Sequence, residues 1–218
     1  MTQIEGIPMI AHVWKRCKQT KIGKVIVATD SDEIKEAIEI LGGEVVMTDS
    51  SLNSGTERVH AAITLYDPTK LFTEVVNVQG DIPFIDPEII DWTLSGLHDD
   101  VEIATPVTLI LNNDEIDNRN VVKAFSEELD MRRYSKATDF RRMVMKDHNE
   151  PFWHHIGVYA YTRDALEKFV MFPQTIREID EGLEQLRALD NGMKVNLVSV
   201  DGPAPGSVDT PEDILKLV

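Results

Sequence analysis

An apolar stretch through Val75, Val76 and Val78 ends on Gln79-Gly80-Asp81, with Ile82 and Pro83 directly after it. A strand that finishes on an amide, a glycine and a carboxylate delivers polar groups to the mouth of a sheet, where α/β proteins place their chemistry. A second acidic cluster, Val208-Asp209-Thr210-Pro211-Glu212-Asp213, lies far down the chain. Carboxylates from two distant segments, Asp81 and Asp209, are what a Mg²⁺ ion serving phosphates requires. Either aspartate alone would more often be a turn residue, because Asp is common beside Gly and Pro in loops. Taken together the two clusters point to nucleotidyl transfer.

Further candidates surround this pair. The Gln79 amide could read a base or a sugar. Ser54-Gly55-Thr56-Glu57-Arg58 puts free backbone and a guanidinium at a helix start, where N–H groups can receive an anionic or carbonyl oxygen. For Ser54 and Thr56 an ordinary N-cap role is equally supported, which leaves Arg58 as the better candidate. His155, Tyr159 and Tyr161 occupy alternate positions of one expected strand and so share a face, with His154 on the other. Glu184, Gln185 and Arg187 lie on a helix whose Leu183, Leu186 and Leu189 form an apolar stripe, and by themselves they would be a solvated face. The basic residues Arg132, Arg133, Lys136, Arg141, Arg142 and Lys146 could grip a carboxylate or a triphosphate, or form a solvated loop. Cys17 reads as a structural thiol on an amphipathic stretch.

The elements that must position these groups follow from periodicity. A helix is expected over 8–19, with Ile10, Val13 and Trp14 on one face, followed by a strand over 24–29. Ser31 caps a second helix carrying Ile34, Ala37, Ile38 and Leu41, which Gly42-Gly43 ends before a short strand over 44–48. This is a βαβ unit, repeated as helix 54–66, strand 74–78 and a helix opened by Asp86-Pro87. Parallel pairing is the natural expectation. Beyond residue 103 the strand-like stretches 103–107 and 121–125 precede a basic, irregular region over 131–146, which suggests an inserted substrate or dimer region over about 103–155. A strand over 156–161, helices over 163–170 and 180–189, a strand over 194–200 and a helix after Pro211 restore the α/β pattern.

Composition sets the limits. At 218 residues and 42% hydrophobic content, one α/β domain with a substantial core is expected. A formal net charge of −16 argues against nucleic acid as a partner, since that binding needs a basic face. A small nucleotide is still compatible, given local cations. With one cysteine the chain cannot form an internal disulfide. It carries neither a membrane-spanning run nor a signal-peptide pattern, so a cytoplasmic protein is expected.

Six ordered segments carry a resemblance: Gly42-Gly43-Glu44-Val45-Val46-Met47-Thr48, Ser54-Gly55-Thr56-Glu57-Arg58, Val76-Asn77-Val78-Gln79-Gly80-Asp81, His155-Ile156-Gly157-Val158-Tyr159-Ala160-Tyr161, Leu183-Glu184-Gln185-Leu186-Arg187 and Val208-Asp209-Thr210-Pro211-Glu212-Asp213. In this order they resemble the 3-deoxy-manno-octulosonate (KDO) cytidylyltransferases, or CMP-KDO synthetases. The resemblance implies a Rossmann-like nucleotide-diphospho-sugar transferase fold with a mostly parallel sheet and helices on both faces. It implies Mg²⁺-dependent reaction of CTP with KDO to give CMP-KDO and pyrophosphate for lipopolysaccharide synthesis, in a homodimer. Asp81 and Asp209 match the metal-binding aspartates. Residues 54–58 and Gln79 fall on the cytidine and phosphate side, and His155, Tyr159, Glu184 and Gln185 on the sugar side.

The sequence also departs from that pattern. Tyr134-Ser135-Lys136 stands where an aromatic-Ser-Arg segment is usual, so Lys136 is the corresponding sugar-side candidate, and Ile82 replaces an acidic residue. Relatives open with a strand and a basic phosphate loop, whereas this sequence starts at the Gly6-Ile7-Pro8-Met9-Ile10 that follows them. Two strands with unpaired edges are then expected. The alternative reading is a non-catalytic member that binds nucleotide, sugar or a partner subunit.

Overall fold

The computed structural model describes residues 2–128, 133–144, 151–208 and 213–214. These form two compact units, one from residues up to 73, residues 77–91 and the described residues beyond 204, the other from residues 74–76 and 92–204.

In the first unit a short hairpin pairs β1 (Gln3–Ile4) with β2 (Ile7–Pro8). Its turn places Glu5 and Gly6 at φ of 49° and 76°, the left-handed region that a two-residue hairpin loop needs. Then follow α1 (Met9–Cys17), β3 (Ile26–Thr29), α2 (Asp32–Ile40), β4 (Glu44–Met47) and α3 (Gly55–Tyr66), and after them β5 (Glu74–Val78) and α4 (Pro87–Ser95), whose residues 74–76 and 92–95 belong to the second unit. Ser31 caps α2 by accepting from the Ile34 N–H, as its sequence position suggests. The core of this unit joins Ala11, Val27 and Ile38, with Ile10, Trp14, Ile34 and Val45 against them. Gly43 lets the chain pass beneath Trp14 and Ile38, because a Cβ there would run into both side chains. β3 and β4 pair in parallel as a two-stranded sheet.

The second unit contains β6 (Ile103–Leu109), α5 (Asn113–Asp117), β7 (Lys123–Ser126), β8 (Tyr134–Arg141), β9 (Trp153–His155), β10 (Val158–Thr162), α6 (Arg163–Met171), α7 (Ile176–Glu181), α8 (Gln185–Asp190) and β11 (Val195–Ser199). The larger sheet runs β11-β8-β7-β9-β6-β10-β5, with β11 also pairing β6. Only β11 with β6 is a parallel pair among the registers described there. The β10–β6, β6–β9, β7–β9, β7–β8 and β11–β8 pairs are antiparallel. The expectation of a mostly parallel sheet is thus corrected for this unit. Parallel neighbours need a crossover of a dozen or more residues, and β6 and β11 are separated by everything from α5 to α8, whereas β6 to β10 have no long helix between them and fold back on one another. The basic stretch expected to be irregular contains the eight-residue strand β8, bulged where Phe125 and Ser126 of β7 face Asp139 and Ala137.

The strand expected over 156–161 begins only at Val158, as β10, with β9 a separate strand that ends at His155, and β6 shows why. From Ala104 opposite Ala160 to Val107 opposite His155 the chain takes three steps along β6 but five along its neighbour. The two extra residues fall opposite Pro106, which accepts from the Ile156 N–H but has no N–H to give back. The Ile156 carbonyl receives the Val158 N–H at 2.7 Å instead, with the Thr105 hydroxyl 3.4 Å away. An insertion of two preserves the alternation of faces. His155 and Tyr159 remain neighbours, with ring centroids 5.4 Å apart.

Burial of charge is handled by pairing. Lys123, 0% exposed, donates to the carbonyls of Asn118, Val121 and Arg142 at 2.7–2.9 Å. Arg187, 2% exposed, clasps Glu178 through Nε at 2.9 Å and Nη2 at 2.5 Å and lies 4.8 Å from the centre of the Phe169 ring. Glu178 also closes a capping box with Thr175 at the start of α7. Burial pushes the Glu178 pKa up, but the bonds from Arg187 and the Thr175 N–H outweigh it and hold the carboxyl below its usual range. The single helix expected over 180–189 is broken at Gly182, whose φ of 63° ends α7 in the left-handed conformation. Arg187→Met strands a buried carboxylate and is expected to cost about 3 kcal/mol in chemical denaturation, whereas Glu178→Leu with Arg187→Met recovers most of it. An unchanged midpoint for the single variant would show that the pair does not hold α7 to α8.

Candidate functional site

In the first unit the sequence candidates gather at the start of α3 and the end of β5. Ser54 caps α3, its Oγ accepting from the Glu57 N–H at 3.2 Å, while the Glu57 carboxylate accepts from the Asn53 N–H at 3.0 Å. Thr56 is fully buried. Gly55 gives the Gln79 amide close approach: a Cβ would sit 3.2 Å from Gln79 Nε2 and 3.3 Å from its Oε1, a tight contact. The first turn of α3 therefore lies directly on the Gln79 amide. Arg58 is bound within the protein, donating to Thr48 Oγ1 at 2.6 Å and to Asp30 at 3.3 Å. It clamps α3 to the segments just past β3 and β4, roles for Asp30 and Thr48 that periodicity alone does not reveal.

Asp81 follows Gln79 on the loop after β5, and its carbonyl accepts the Val208 N–H at 2.9 Å. The residue preceding Asp209 is thereby tied to the backbone of Asp81. Asp209 lies outside the described residues, as do Arg132, Met145, Lys146 and residues 209–212. Ile82 is 4% exposed, so the apolar replacement there fills the core. Among the described residues, no cluster of three or more His, Cys, Asp or Glu is placed to hold a metal ion. Burial pushes the Cys17 thiol up to about 11, as suits a structural cysteine.

In the second unit His155, Tyr159 and Gln185 come together. Tyr159 Oη donates to Gln185 Oε1 at 3.2 Å, and burial, then the nearby charges of Tyr161 and Glu184, push the phenol well above its usual range. Gln185 is 7% exposed and its Nε2 has no hydrogen-bond partner among the described residues. That amide presents a donor to whatever lies against it. His155 Nε2 lies 2.9 Å from Thr105 Oγ1, and its ring also packs on Phe140 with centroids 5.3 Å apart. Burial, with a smaller contribution from His154, pushes the His155 pKa down to about 3. His154 points to the other face, 2.9 Å from Glu115. Glu184 precedes α8 and is half-buried.

The basic residues are spread among local partners. Lys136, on the exposed side of β8, pairs with Glu127 at 2.8 Å, and no described contact brings it to His155 or Gln185. Arg133 lies 4.1 Å from the Trp92 ring centre, and Arg141 pairs with Asp139. Arg142 donates to the carbonyls of Glu181 and Gly182 at the end of α7. Arg187 is taken up by Glu178 and does not face the Tyr159–Gln185 pair by any described bond.

The fold with these two groups is of the nucleotidyltransferase class, and residues 1–195 match the Cytidylyltransferase family. The chain is 45% identical over 215 residues to the 3-deoxy-manno-octulosonate cytidylyltransferase of Paramagnetospirillum magneticum, covering 98% of this chain and 87% of that protein. The enzyme of the same name from Bradyrhizobium sp. gives the same identity and shares. The structure of CMP:2-keto-3-deoxy-manno-octonic acid synthetase complexed with CTP superposes with a TM-score of 0.86 at 30% identity, over 99% of this chain and 88% of that one. The 4-diphosphocytidyl-2C-methyl-D-erythritol synthase of Anaerococcus prevotii, 16% identical with a TM-score of 0.63 over 98% of this chain and 86% of that one, shares the fold alone. This chain belongs to the 3-deoxy-manno-octulosonate cytidylyltransferase family.

The buried imidazole has a pH signature. Its folded pKa lies below the ordinary 6.5, so the unfolded chain binds the proton more readily. The stability contributed by keeping His155 neutral is whole above pH 6.5 and is lost as pH falls toward about 3. His155→Asn is expected to flatten the acid side of the stability profile in that window, measured by denaturation at successive pH values. An identical slope in the variant would place the acid sensitivity elsewhere.

Proposed function

We propose that this cytidylyltransferase transfers CMP from CTP to the anomeric hydroxyl of KDO or a close eight-carbon acid sugar, giving CMP-KDO and pyrophosphate, a product used in lipopolysaccharide synthesis. The observation that carries the reading is the bond from Val208 to Asp81, which brings the approach to Asp209 against the loop bearing Asp81 and Gln79. Asp81 and Asp209 would hold Mg²⁺, whose chemistry is to neutralise phosphate charge and favour the ionised hydroxyl, and two carboxylates suit that hard cation. Gln79, supported by Gly55, reads the nucleotide through its amide, and Ser54, Thr56 and Arg58 keep the start of α3 in place beneath it. In the second unit the Gln185 donor, oriented by Tyr159, and His155 take the hydroxyls of the sugar, with Glu184 beside them. A polyol needs fixed donors and acceptors of this kind.

The anomeric hydroxyl gives up its proton to solvent, and its oxygen attacks the α-phosphorus in line. The new O–P bond forms as the bond to the β-phosphate oxygen breaks, and pyrophosphate leaves with that electron pair. Catalysis is mostly positioning and charge compensation, with no covalent enzyme intermediate. Purified protein with CTP, KDO and Mg²⁺ is expected to release pyrophosphate, and Asp81→Ala to lower the rate on the order of 100-fold or more, as does chelation of the metal. A folded protein that releases none would instead support a non-catalytic member of the family.

We also infer a homodimer. Phe140 is fully buried and belongs to the core, while Met143 nearby in the chain is 53% exposed and available for an interface. Light scattering after size exclusion is expected to give twice the 24.6 kDa chain mass. A monomer at working concentration would remove this inference.

A further inference from the structure

Thr105 is fully buried on β6 and its hydroxyl has three polar neighbours: the Val158 carbonyl at 2.8 Å, the Ile156 carbonyl at 3.4 Å and His155 Nε2 at 2.9 Å. A threonine hydroxyl owns one proton, and a carbonyl oxygen can only accept. If that proton went to the imidazole, the oxygen would face the Val158 carbonyl at hydrogen-bond distance with no hydrogen between them, an unpaired contact that is costly inside a protein. The arrangement that satisfies all the groups has Thr105 donate to Val158 and accept from His155. His155 Nε2 then carries the hydrogen, and Nδ1 carries the lone pair.

We propose that Thr105 is a positioning residue that locks His155 in the Nε2–H tautomer, so that Nδ1 accepts a hydrogen bond from a hydroxyl of the sugar and disfavours a carboxylate at that place. The assignment to a sugar hydroxyl rests on the proposed function above. The tautomer itself rests on the local geometry alone. Burial keeps the ring neutral at physiological pH, so the second nitrogen does not become a donor by protonation. No described group donates to Nδ1. The bulge opposite Pro106 is what makes this possible, because it turns the Val158 carbonyl toward β6, where it takes the Thr105 proton. Gln185 Nε2, a donor with no described partner, lies on the amide held by Tyr159, whose ring is 5.4 Å from that of His155.

The test uses ¹⁵N-histidine protein, with the His155 signals assigned by their absence in His155→Asn. Two-bond ¹H–¹⁵N spectra are expected to show Nε2 protonated and Nδ1 bare in the wild type and in Thr105→Ser. Thr105→Val, which keeps the shape and removes the acceptor, is expected to lose the single tautomer. In the pyrophosphate assay Thr105→Val is expected to raise KM for the acid sugar about tenfold, the worth of one good hydrogen bond, with KM for CTP unmoved and Thr105→Ser restoring the wild-type value. A wild-type His155 protonated on Nδ1, or a valine variant with unchanged tautomer and sugar KM, overturns the proposal. If the tautomer is as stated but His155→Asn leaves the sugar KM unchanged, the sugar-side reading of His155 falls, and with it the hydroxyl contact.

Discussion

A proline in the middle of a strand that is hydrogen-bonded on both edges governs the second unit. β6 pairs with β11 on one edge and with β9 and β10 on the other, and nearly every residue of it is buried. Pro106 removes one donor from that ladder, and a buried carbonyl left without a partner is costly. The chain answers by inserting two residues opposite, by bonding Val158 back to Ile156, and by turning the Thr105 hydroxyl onto the freed carbonyls. The same hydroxyl reaches His155. Completing the backbone hydrogen bonds and orienting the His155 imidazole are thus one arrangement.

The groups around it depend on rigidity of the same kind. Tyr159 follows the bulge and orients Gln185, and Gln185 opens a helix whose Arg187 is anchored on Glu178. The buried pair therefore holds the helix that carries the amide. Its pairing energy is largely offset by desolvation, so what it contributes is placement more than net stability. In the first unit Arg58 acts likewise, joining α3 to the ends of two strands while Gly55 admits the Gln79 amide. The chain carries a net charge of −16, yet nearly all the arginines described at these places are spent on internal contacts.

The helices and strands of the first unit were legible because each is signalled locally. Ser31 and Ser54 cap, Gly42-Gly43 stops a helix, and apolar residues recur at helical spacing, so α2, β4 and α3 fall within a residue or two of expectation. The family too was legible, since its segments keep their order and their residues. His155 and Tyr159 were placed on one face by alternation, and this holds although the strand between them is interrupted, because an even insertion leaves parity unchanged.

Strand direction in the second unit, the division into β9 and β10, and the partners of the charged residues were decided only by the tertiary structure. A strand is recognised from its own residues, but its direction and neighbours depend on hydrogen bonds to segments far away in the chain. Arg187 reads as one more polar residue on a helix until Glu178 and Phe169 close around it. Lys136 reads as an unpaired cation until Glu127 is found beside it. Thr105 carries no signal in sequence, because its role is set by a carbonyl and an imidazole some fifty residues away that meet it only when the sheet is complete. The sequence by itself therefore determined which chemistry the chain carries and which local elements bear it, and the fold decided which side chains are free to use it, since pairing and burial are properties of the assembled neighbours.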